Sequence, residues 1–298
     1  MERVLVVGGS GMIGSHIARH LSTLGSEVAI GSRHGGDDGP FPVVVGDYVD
    51  RSFTADQLGG FDAVVFAAGQ DVRHTGGAAP DAEFWRKTQS EGVPAFAALA
   101  RAAGVRLFVQ IGSYYHHLVP DLAERDAYVH ARMVADRDAR RLASADFAVM
   151  TINPPSVVGA IPGASLARFR GLAAWARGER PEVPDFAPSG ATNYMSATAL
   201  AEAVAGALRD GEGGKAYLVG GENLSYRDFF QMIFDAAGSN RTLEARDAPH
   251  PMLPDAYIVH GRGVTLAYEP DEGERQLLGY RRGDIAATLR SIVAQVDA

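Results

Sequence analysis

The chain opens on a short β-branched run that meets three glycines: Val4-Leu5-Val6-Val7, then Gly8-Gly9-Ser10-Gly11-Met12-Ile13-Gly14. Glycine returns at positions 8, 11 and 14, and an apolar row at helix period follows, Ile13, Ile17, Leu21 and Leu24. A strand, a tight glycine turn and a helix start, in that order, form the first βα unit of a parallel sheet that holds a dinucleotide. The first glycine permits the turn, the second lets a pyrophosphate approach the backbone, and the third lets the helix pack close to the strand. Free N–H groups of the first helical turn supply partial positive charge for phosphate. A purely structural glycine turn is the alternative reading.

The same alternation continues downstream. Val28–Ile30, Val43–Val45, Phe61–Phe66, Arg106–Ile111 and Ala148–Ile152 read as strands, with helical patterns over roughly 82–103 and 128–143. Strands alternating with helices predict an α/β fold, a doubly wound parallel sheet of Rossmann type, over residues 1–155. Beyond Pro155 the alternation weakens. Helices are expected near Leu166–Arg177, over Ala197–Leu208, after a Ser225 cap, and from Gly283 to Val296, with a short strand at Ala216–Val219. Residues 156–298 are therefore expected to form mainly a smaller C-terminal substrate lobe, with 190–220 returning to the first domain.

Composition narrows the function. A net charge of -8 over 298 residues gives no basic excess to attract nucleic acid. No apolar run approaches the roughly 18 residues of a membrane span. No charged segment followed by an apolar one marks a secretory signal, so a cytoplasmic location is expected. Cysteine is absent, which removes thiol nucleophiles, disulfides and cysteine metal sites together. No acid and histidine set shows metal-ligand spacing along the chain, so no metal is expected.

Several separated stretches then fall in a familiar order. They are Gly8, Gly11 and Gly14; Asp47; Ala67-Ala68-Gly69; Ile111-Gly112-Ser113; Tyr128 four residues before Arg132; Asn153-Pro154-Pro155-Ser156-Val157-Val158-Gly159; Asn193-Tyr194-Met195-Ser196; and Leu278-Gly279-Tyr280-Arg281-Arg282-Gly283-Asp284. On these residues the chain resembles the extended short-chain dehydrogenase/reductase superfamily, the NAD(P)-dependent epimerase, dehydratase and ketone-reductase group. The resemblance covers nearly the whole length. It implies a nicotinamide cofactor bound along Gly8, Ser10, Gly11, Met12, Ile13, Gly14, Gly46, Asp47, Ala67, Ala68, Gly69, Pro154 and Val157, with Tyr128 and Arg132 at its reactive end. Asp47 is expected to accept from the adenine amino group, or else to cap a turn.

Two departures matter. An acid at the end of the second strand would select NAD, but Ser32-Arg33-His34 stands there. A guanidinium pairs bidentately with a 2′-phosphate, so NADP(H) is expected over NAD(H). The family also places lysine where this chain has Arg132. A fixed cation one helical turn from Tyr128 would stabilise its phenolate; arginine keeps the charge but cannot yield its proton. Either Ser113 or Tyr114 fills the slot that polarises a carbonyl, and Gln89 stands for the family's relay asparagine. His116 and His117 are expected near the substrate mouth, as proton carriers or as loop residues without a role.

The expected function is an NADP(H)-dependent oxidoreductase acting on a carbonyl or secondary alcohol of a small molecule. Tyr128 would be the acid, Ser113 would hold the oxygen and Arg132 the ribose. The alternatives are a sugar-nucleotide epimerase or dehydratase with tightly held cofactor, and a non-catalytic NADP(H)-binding sensor. Ala95, Ala97, Ala98 and Ala102 would permit the close helix packing of a homodimer.

Overall fold

The structure, a computed structural model, describes residues 2–35, 39–72 and 81–298. They divide into two compact units. Unit one comprises Met1–Pro154, Thr198–Val219 and Pro270–Tyr280. Its strands are β1 (Arg3–Val7), β2 (Glu27–Ser32), β3 (Val43–Val45), β4 (Ala63–Phe66), β5 (Leu107–Ile111), β6 (Ala148–Asn153) and, later in the chain, β10 (Ala216–Leu218). They form one seven-stranded sheet in the order β10-β6-β5-β4-β1-β2-β3, and every pairing is parallel. Val4 to Val7 and Ala63 to Phe66 are at most 2% exposed, as strands covered on both faces must be. The order reverses between β1 and β4. A ligand of an open parallel sheet binds outside the carboxyl ends of the strands at such a reversal, and the glycine turn and Ala67-Ala68-Gly69 follow these two strands.

The helices of this unit are α1 (Met12–Thr23), α2 (Ala55–Leu58), α3 (Ala82–Trp85), α4 (Gly92–Ala102), α5 (Tyr115–Leu118), α6 (Leu122–Arg125), α7 (Ala127–Arg140), α9 (Ala197–Asp210) and α11 (Glu272–Leu278). The helix expected over 82–103 is a single helical path in which a π-helical turn, Arg86–Glu91, joins α3 to α4. Such wide turns are rare and concentrate at functional sites. The Asp126 carboxylate accepts from the Val129 N–H at 2.9 Å and starts α7.

Helix α7 turns an unusual stripe inward. Tyr128, Arg132, Asp136 and Arg140 recur every fourth residue, and the first three are buried. A buried charge needs a partner, and each finds one. Arg140 donates through Nε to Asp136 Oδ1 at 2.8 Å and through its terminal nitrogen to Oδ2 at 3.1 Å. His116 Nε2 and His117 Nε2, from α5, lie 3.2 and 3.4 Å from Oδ2. Burial alone would raise the Asp136 carboxyl, but hydrogen bonds from the histidines and Arg140 hold it far below the usual carboxylate range. Burial also pulls His116 below its ordinary value, against the pull of Asp136. The fold thus gathers two histidines and an acid within 4.8 Å, a set that linear spacing conceals. Arg140 already occupies both carboxylate oxygens, and its charge opposes a second cation there.

Unit two comprises Pro155–Ala197, Gly220–Glu269 and Arg281–Ala298. It holds strands β7 (Ser156–Val158), β8 (Phe186–Pro188), β9 (Ala191–Ser196), β11 (Glu222–Ser225), β12 (Glu244–Arg246) and β13 (Thr265–Leu266), and helices α8 (Ala164–Ala176), α10 (Tyr226–Ala236) and α12 (Ile285–Val296). β9 is central, pairing with β7, β11 and β13. Trp175 centres the core, edge-on to Phe230 at 5.4 Å and Phe234 at 4.7 Å. Asn193 on β9 accepts from the Gly221 N–H at 2.8 Å and donates to Asn223 and the Tyr268 carbonyl, while Ser196 donates to Asp284 at 2.6 Å. The Asn193–Ser196 motif therefore ties this unit together.

The return to the first unit begins at Thr198, later than residue 190, and a second return, Pro270–Tyr280, was not expected. That second return packs tightly: a Cβ added at Gly206 would lie 2.0 Å from the Leu278 carbonyl oxygen.

Gly206→Ala should lower stability by about 2 kcal/mol in urea unfolding, because backbone atoms must yield; an unchanged midpoint would remove the second return from the unit. The buried cluster sets a pH dependence. An aspartate depressed in the folded state adds stability above its unfolded pKa of about 3.9, and this is lost as pH falls toward the folded value. A histidine depressed below about 6.5 takes up its proton more readily in the unfolded chain, so it too favours unfolding as pH drops. The urea midpoint should therefore fall as pH drops through about 6.5, where the unfolded histidine takes up its proton, and fall further below about pH 4, where the unfolded aspartate does. Asp136→Asn, which leaves Arg140 without its counter-charge, should cost about 3 kcal/mol at pH 7; equal midpoints for variant and wild type would contradict the assignment.

Candidate functional site

The glycine turn is shaped by close approach. Gly8 has φ +82°, and a Cβ on Gly14 would lie 2.2 Å from the Gly8 carbonyl oxygen. Both positions therefore need glycine. Gly11 differs: a Cβ there would meet only Gly8 oxygen, at 3.2 Å, so its backbone faces open space. Gly11 is also the N-cap of α1, with no side-chain cap and no acidic residue in the first turn. The positive end of a twelve-residue helix is thus left open at Met12, Ile13 and Gly14, an arrangement that fits a pyrophosphate.

Next to it, Ser10, Ser15 and Arg19 face Ser32 and His34 across a recess that is otherwise lined by Ile30, Phe41 and Val43 among others. No acid lines it. Arg19, which sequence reading passed over, reaches this recess because it follows Ser15 by one turn of α1. Arg33 is exposed and its charge acts on Tyr48. Tyr48 donates to the Thr88 carbonyl at 3.0 Å, and burial pushes its phenol well above the ordinary value. Asp47 accepts from the Val49 N–H at 2.8 Å, so one carboxylate oxygen caps the turn, the alternative role foreseen for it. A Cβ on Gly46 would lie 2.7 Å from the Phe53 ring; ring packing explains that glycine.

A second cluster is built from four elements: α7, the helical path with the π turn, the loop after β4 and the end of β5. Tyr128, near the start of α7, donates from its hydroxyl to Asp71 Oδ2 at 3.3 Å, and its ring packs on Trp85 with centroids 4.9 Å apart. Arg132, one turn on, donates to the carbonyls of Ile111 at 3.0 Å and of Gly112, and to Gln89 Oε1 at 3.3 Å. Gln89, in the π-helical turn, donates to the Gln70 carbonyl at 3.0 Å. The guanidinium thus spans the end of β5 and the loop after β4. A Cβ on Gly69 would lie 2.8 Å from it, so glycine makes its room. Ala67 and Ala68 line the same loop, and a Cβ on Gly8 would meet Ala68 nitrogen at 2.7 Å. Arg132 Nε is buried with no hydrogen-bond partner among the described residues.

Ser113 and Tyr114 are both buried just beyond β5. The Ser113 N–H donates to Asn153 Oδ1 at 2.9 Å, and a Cβ on Gly112 would collide with that oxygen. The Ile111-Gly112-Ser113 and Asn153 motifs are therefore two sides of one contact. His116 is held by Asp136 within the buried cluster. Pro154 ends one stretch of the first unit, and Val157, on β7, belongs to the second. The structure thus brings Tyr128, Arg132, Gln89 and Asp71 together, and separately Ser10, Ser32 and Arg19. Asp71 gives no signal in the sequence, since it stands in a polar, glycine-rich stretch that reads only as an exposed loop.

No curated protein sequence matches the chain. Solved structures match over its whole length. UDP-glucose-4-epimerase from Stenotrophomonas maltophila, with bound NAD and formylated UDP-arabinopyranose, is 21% identical, with 100% of this chain and 98% of that one covered and a TM-score of 0.77. UDP-N-acetylglucosamine 4-epimerase from Bacillus cereus is 15% identical over 100% of both chains, with a TM-score of 0.76. RMD from Pseudomonas aeruginosa, complexed with NADPH, is 18% identical over 100% of this chain and 99% of that one, with a TM-score of 0.69. These similarities establish the fold, and the sequence itself matches a family over residues 4–220. The chain belongs to the NAD dependent epimerase/dehydratase family.

Proposed function

We propose that this protein is an NADP(H)-dependent oxidoreductase that interconverts a carbonyl and a secondary alcohol on a small molecule. The observation that carries the cofactor preference is the end of β2. Among the described residues, Ser32 and His34, with Ser10, Ser15 and Arg19, line the recess there without a carboxylate, and Arg33 stands exposed beside them. A carboxylate would bind two ribose hydroxyls and repel a 2′-phosphate; hydroxyls and cations do the reverse. One structural neighbour holds NADPH and another NAD, which supports a nicotinamide cofactor of either kind.

A bound nicotinamide supplies or takes the hydride. The residues of the chain do the rest. The α1 N-terminus and the backbone at Gly11 would hold the pyrophosphate. The loop Ala67-Ala68-Gly69 and Arg132 would border the reactive half. Tyr128, held against Trp85, delivers its hydroxyl proton to the oxygen of a carbonyl undergoing reduction, and Ser113 or Tyr114 donates to the same oxygen. Such donors act on charge that appears mainly in the transition state.

A second reading has specific support: two of the neighbours above are UDP-sugar epimerases matched over almost their whole lengths. It keeps the same proton chemistry with a retained cofactor and no net redox. Incubation with UDP-glucose and UDP-N-acetylglucosamine separates the two, since inversion without change in nicotinamide absorbance would favour the epimerase.

The proposal makes two quantitative predictions. NADPH should bind at least about tenfold more tightly than NADH by fluorescence titration, and Arg19→Ala with Arg33→Ala should remove most of that difference, one charged hydrogen bond being worth about 1.5–3 kcal/mol; tighter binding of NADH would overturn the preference. Tyr128→Phe should lower kcat for carbonyl reduction by at least about 100-fold, the usual weight of a positioned acid, with the dissociation constant for cofactor unchanged. Full turnover in the variant would remove Tyr128 as the acid.

A further inference from the structure

We propose that Asp71 is the proton partner of Tyr128, the group through which the tyrosine exchanges its proton with solvent. This rests on the proposed oxidoreductase chemistry at Tyr128. The inference starts from geometry. The Tyr128 hydroxyl donates to Asp71 Oδ2 at 3.3 Å, and the carboxylate sits in the loop after β4, directly beyond Gly69 and Gln70. That loop is pinned: Gln89 holds the Gln70 carbonyl at 3.0 Å and accepts from Arg132 at 3.3 Å. The tyrosine ring is fixed on its other side by Trp85. Donor and acceptor are therefore both positioned by the helix that contains the π turn.

The charge arrangement favours a carboxylate in this role. A lone phenol, with a reference pKa near 10, is a poor base at neutral pH. A cation beside it would lower that value, but Arg132 directs both terminal nitrogens to the Ile111 and Gly112 carbonyls and to Gln89. An adjacent carboxylate solves the problem differently, by taking the phenol proton as the phenol takes the substrate proton. Among the described residues, the elements packed around the pair contribute Arg132 from α7 and the neutral Gln89 and Trp85. His116 and His117, on α5, are engaged two turns further along with Asp136.

In the oxidising direction the step balances as follows. The alcohol O–H bond breaks and its proton bonds to the Tyr128 oxygen. The Tyr128 O–H bond breaks and its proton bonds to Asp71 Oδ2. The hydrogen on the alcohol carbon leaves with its electron pair to the oxidised nicotinamide, so the substrate is oxidised and the nicotinamide reduced. Asp71 then releases its proton to water. Reduction of a carbonyl runs the same transfers backwards. Asparagine at 71 keeps the shape and the hydrogen-bond acceptor but not the proton affinity.

The test compares wild type, Asp71→Asn, Asp71→Glu and Tyr128→Phe as full-length protein. Tyrosine labelled with 13C at Cζ reports ionisation by NMR, with Tyr128 assigned as the resonance missing from Tyr128→Phe. Removing the neighbouring negative charge should make Tyr128 titrate about 1 unit lower in Asp71→Asn. Oxidation of a panel of secondary alcohols with NADP+ should slow about 100-fold in kcat, the acid limb of the kcat profile should disappear, and cofactor affinity by fluorescence should stay within about twofold. Asp71→Glu should keep an acid limb and recover part of the rate. The proposal is overturned by an Asp71→Asn variant with wild-type kcat, an intact acid limb and an unmoved Tyr128 titration, or by a fully active Tyr128→Phe. If neither NADPH nor NADH binds, or no alcohol turns over, the functional reading fails, while the tyrosine titration alone still decides whether Asp71 and Tyr128 are coupled.

Discussion

The structure of the first unit depends on one helix that turns polar side chains into the protein. Every fourth residue of α7 from Tyr128 to Arg140 bears a hydroxyl or a charge on its inward face. None of these groups can be buried alone, because an unpaired charge in a low-dielectric interior costs several kcal/mol. The requirement is met by pulling other elements into register: Asp71 from the loop after β4, the Gln89 side chain from the π-helical turn, the carbonyls that end β5, and the histidines of α5. The position of the β5 end, and with it Ser113, is thus set by pairing requirements as well as by apolar packing.

The other constraint is the reversal of strand order between β1 and β4. It opens a crevice at the carboxyl ends of two neighbouring strands, and the chain places a glycine turn on one and a small-residue loop on the other. The two are in contact: a side chain at Gly8 would strike the backbone at Ala67 and Ala68. Without side chains beyond Cβ here, the backbone itself is open to close approach by a ligand. The family match over residues 4–220 covers this region and the α7 helix, but it stops before most of the second unit, where substrate selectivity is expected to be decided.

Much of this was legible in the residues. The parallel sheet followed from β-branched runs separated by helical periodicity, and its strands fall within a residue or two of the expected places. The glycine turn was legible from its spacing; the structure gives Gly8 and Gly14 a steric reason and leaves Gly11 open. What was hidden is pairing between segments far apart in the chain. Asp71 lies 57 positions from Tyr128, and nothing in a polar loop marks which of its groups will meet a helix. The His116, His117 and Asp136 cluster was equally hidden, since its members come from two helices and have no ligand-like spacing. The Asn193–Ser196 motif was visible as a motif, yet its work is to join strands within the second unit, which no local pattern states. Arg19 was hidden for a simpler reason: it lies on the surface of α1 that faces the end of β2 across the recess, away from it in the chain.

The substitution of arginine for the family's lysine now has a physical account. A lysine ammonium is a compact charge on a flexible stem, able to serve a tyrosine and a ribose together. A guanidinium is a planar fork that bonds in fixed directions. In this chain the fork is directed at two adjacent carbonyls at the end of β5 and at Gln89, so its first effect is to rigidify the strand end and the loop carrying Gly69. An arginine held in this way keeps its positive charge near the crevice at every physiological pH, which favours an anionic or strongly polar ligand there, but it cannot exchange a proton. Proton exchange must then pass through another group, and the loop that the guanidinium helps to fix is the one that presents Asp71. The replaced lysine and the carboxylate beside Tyr128 are, on this view, a single change in how the site handles charge.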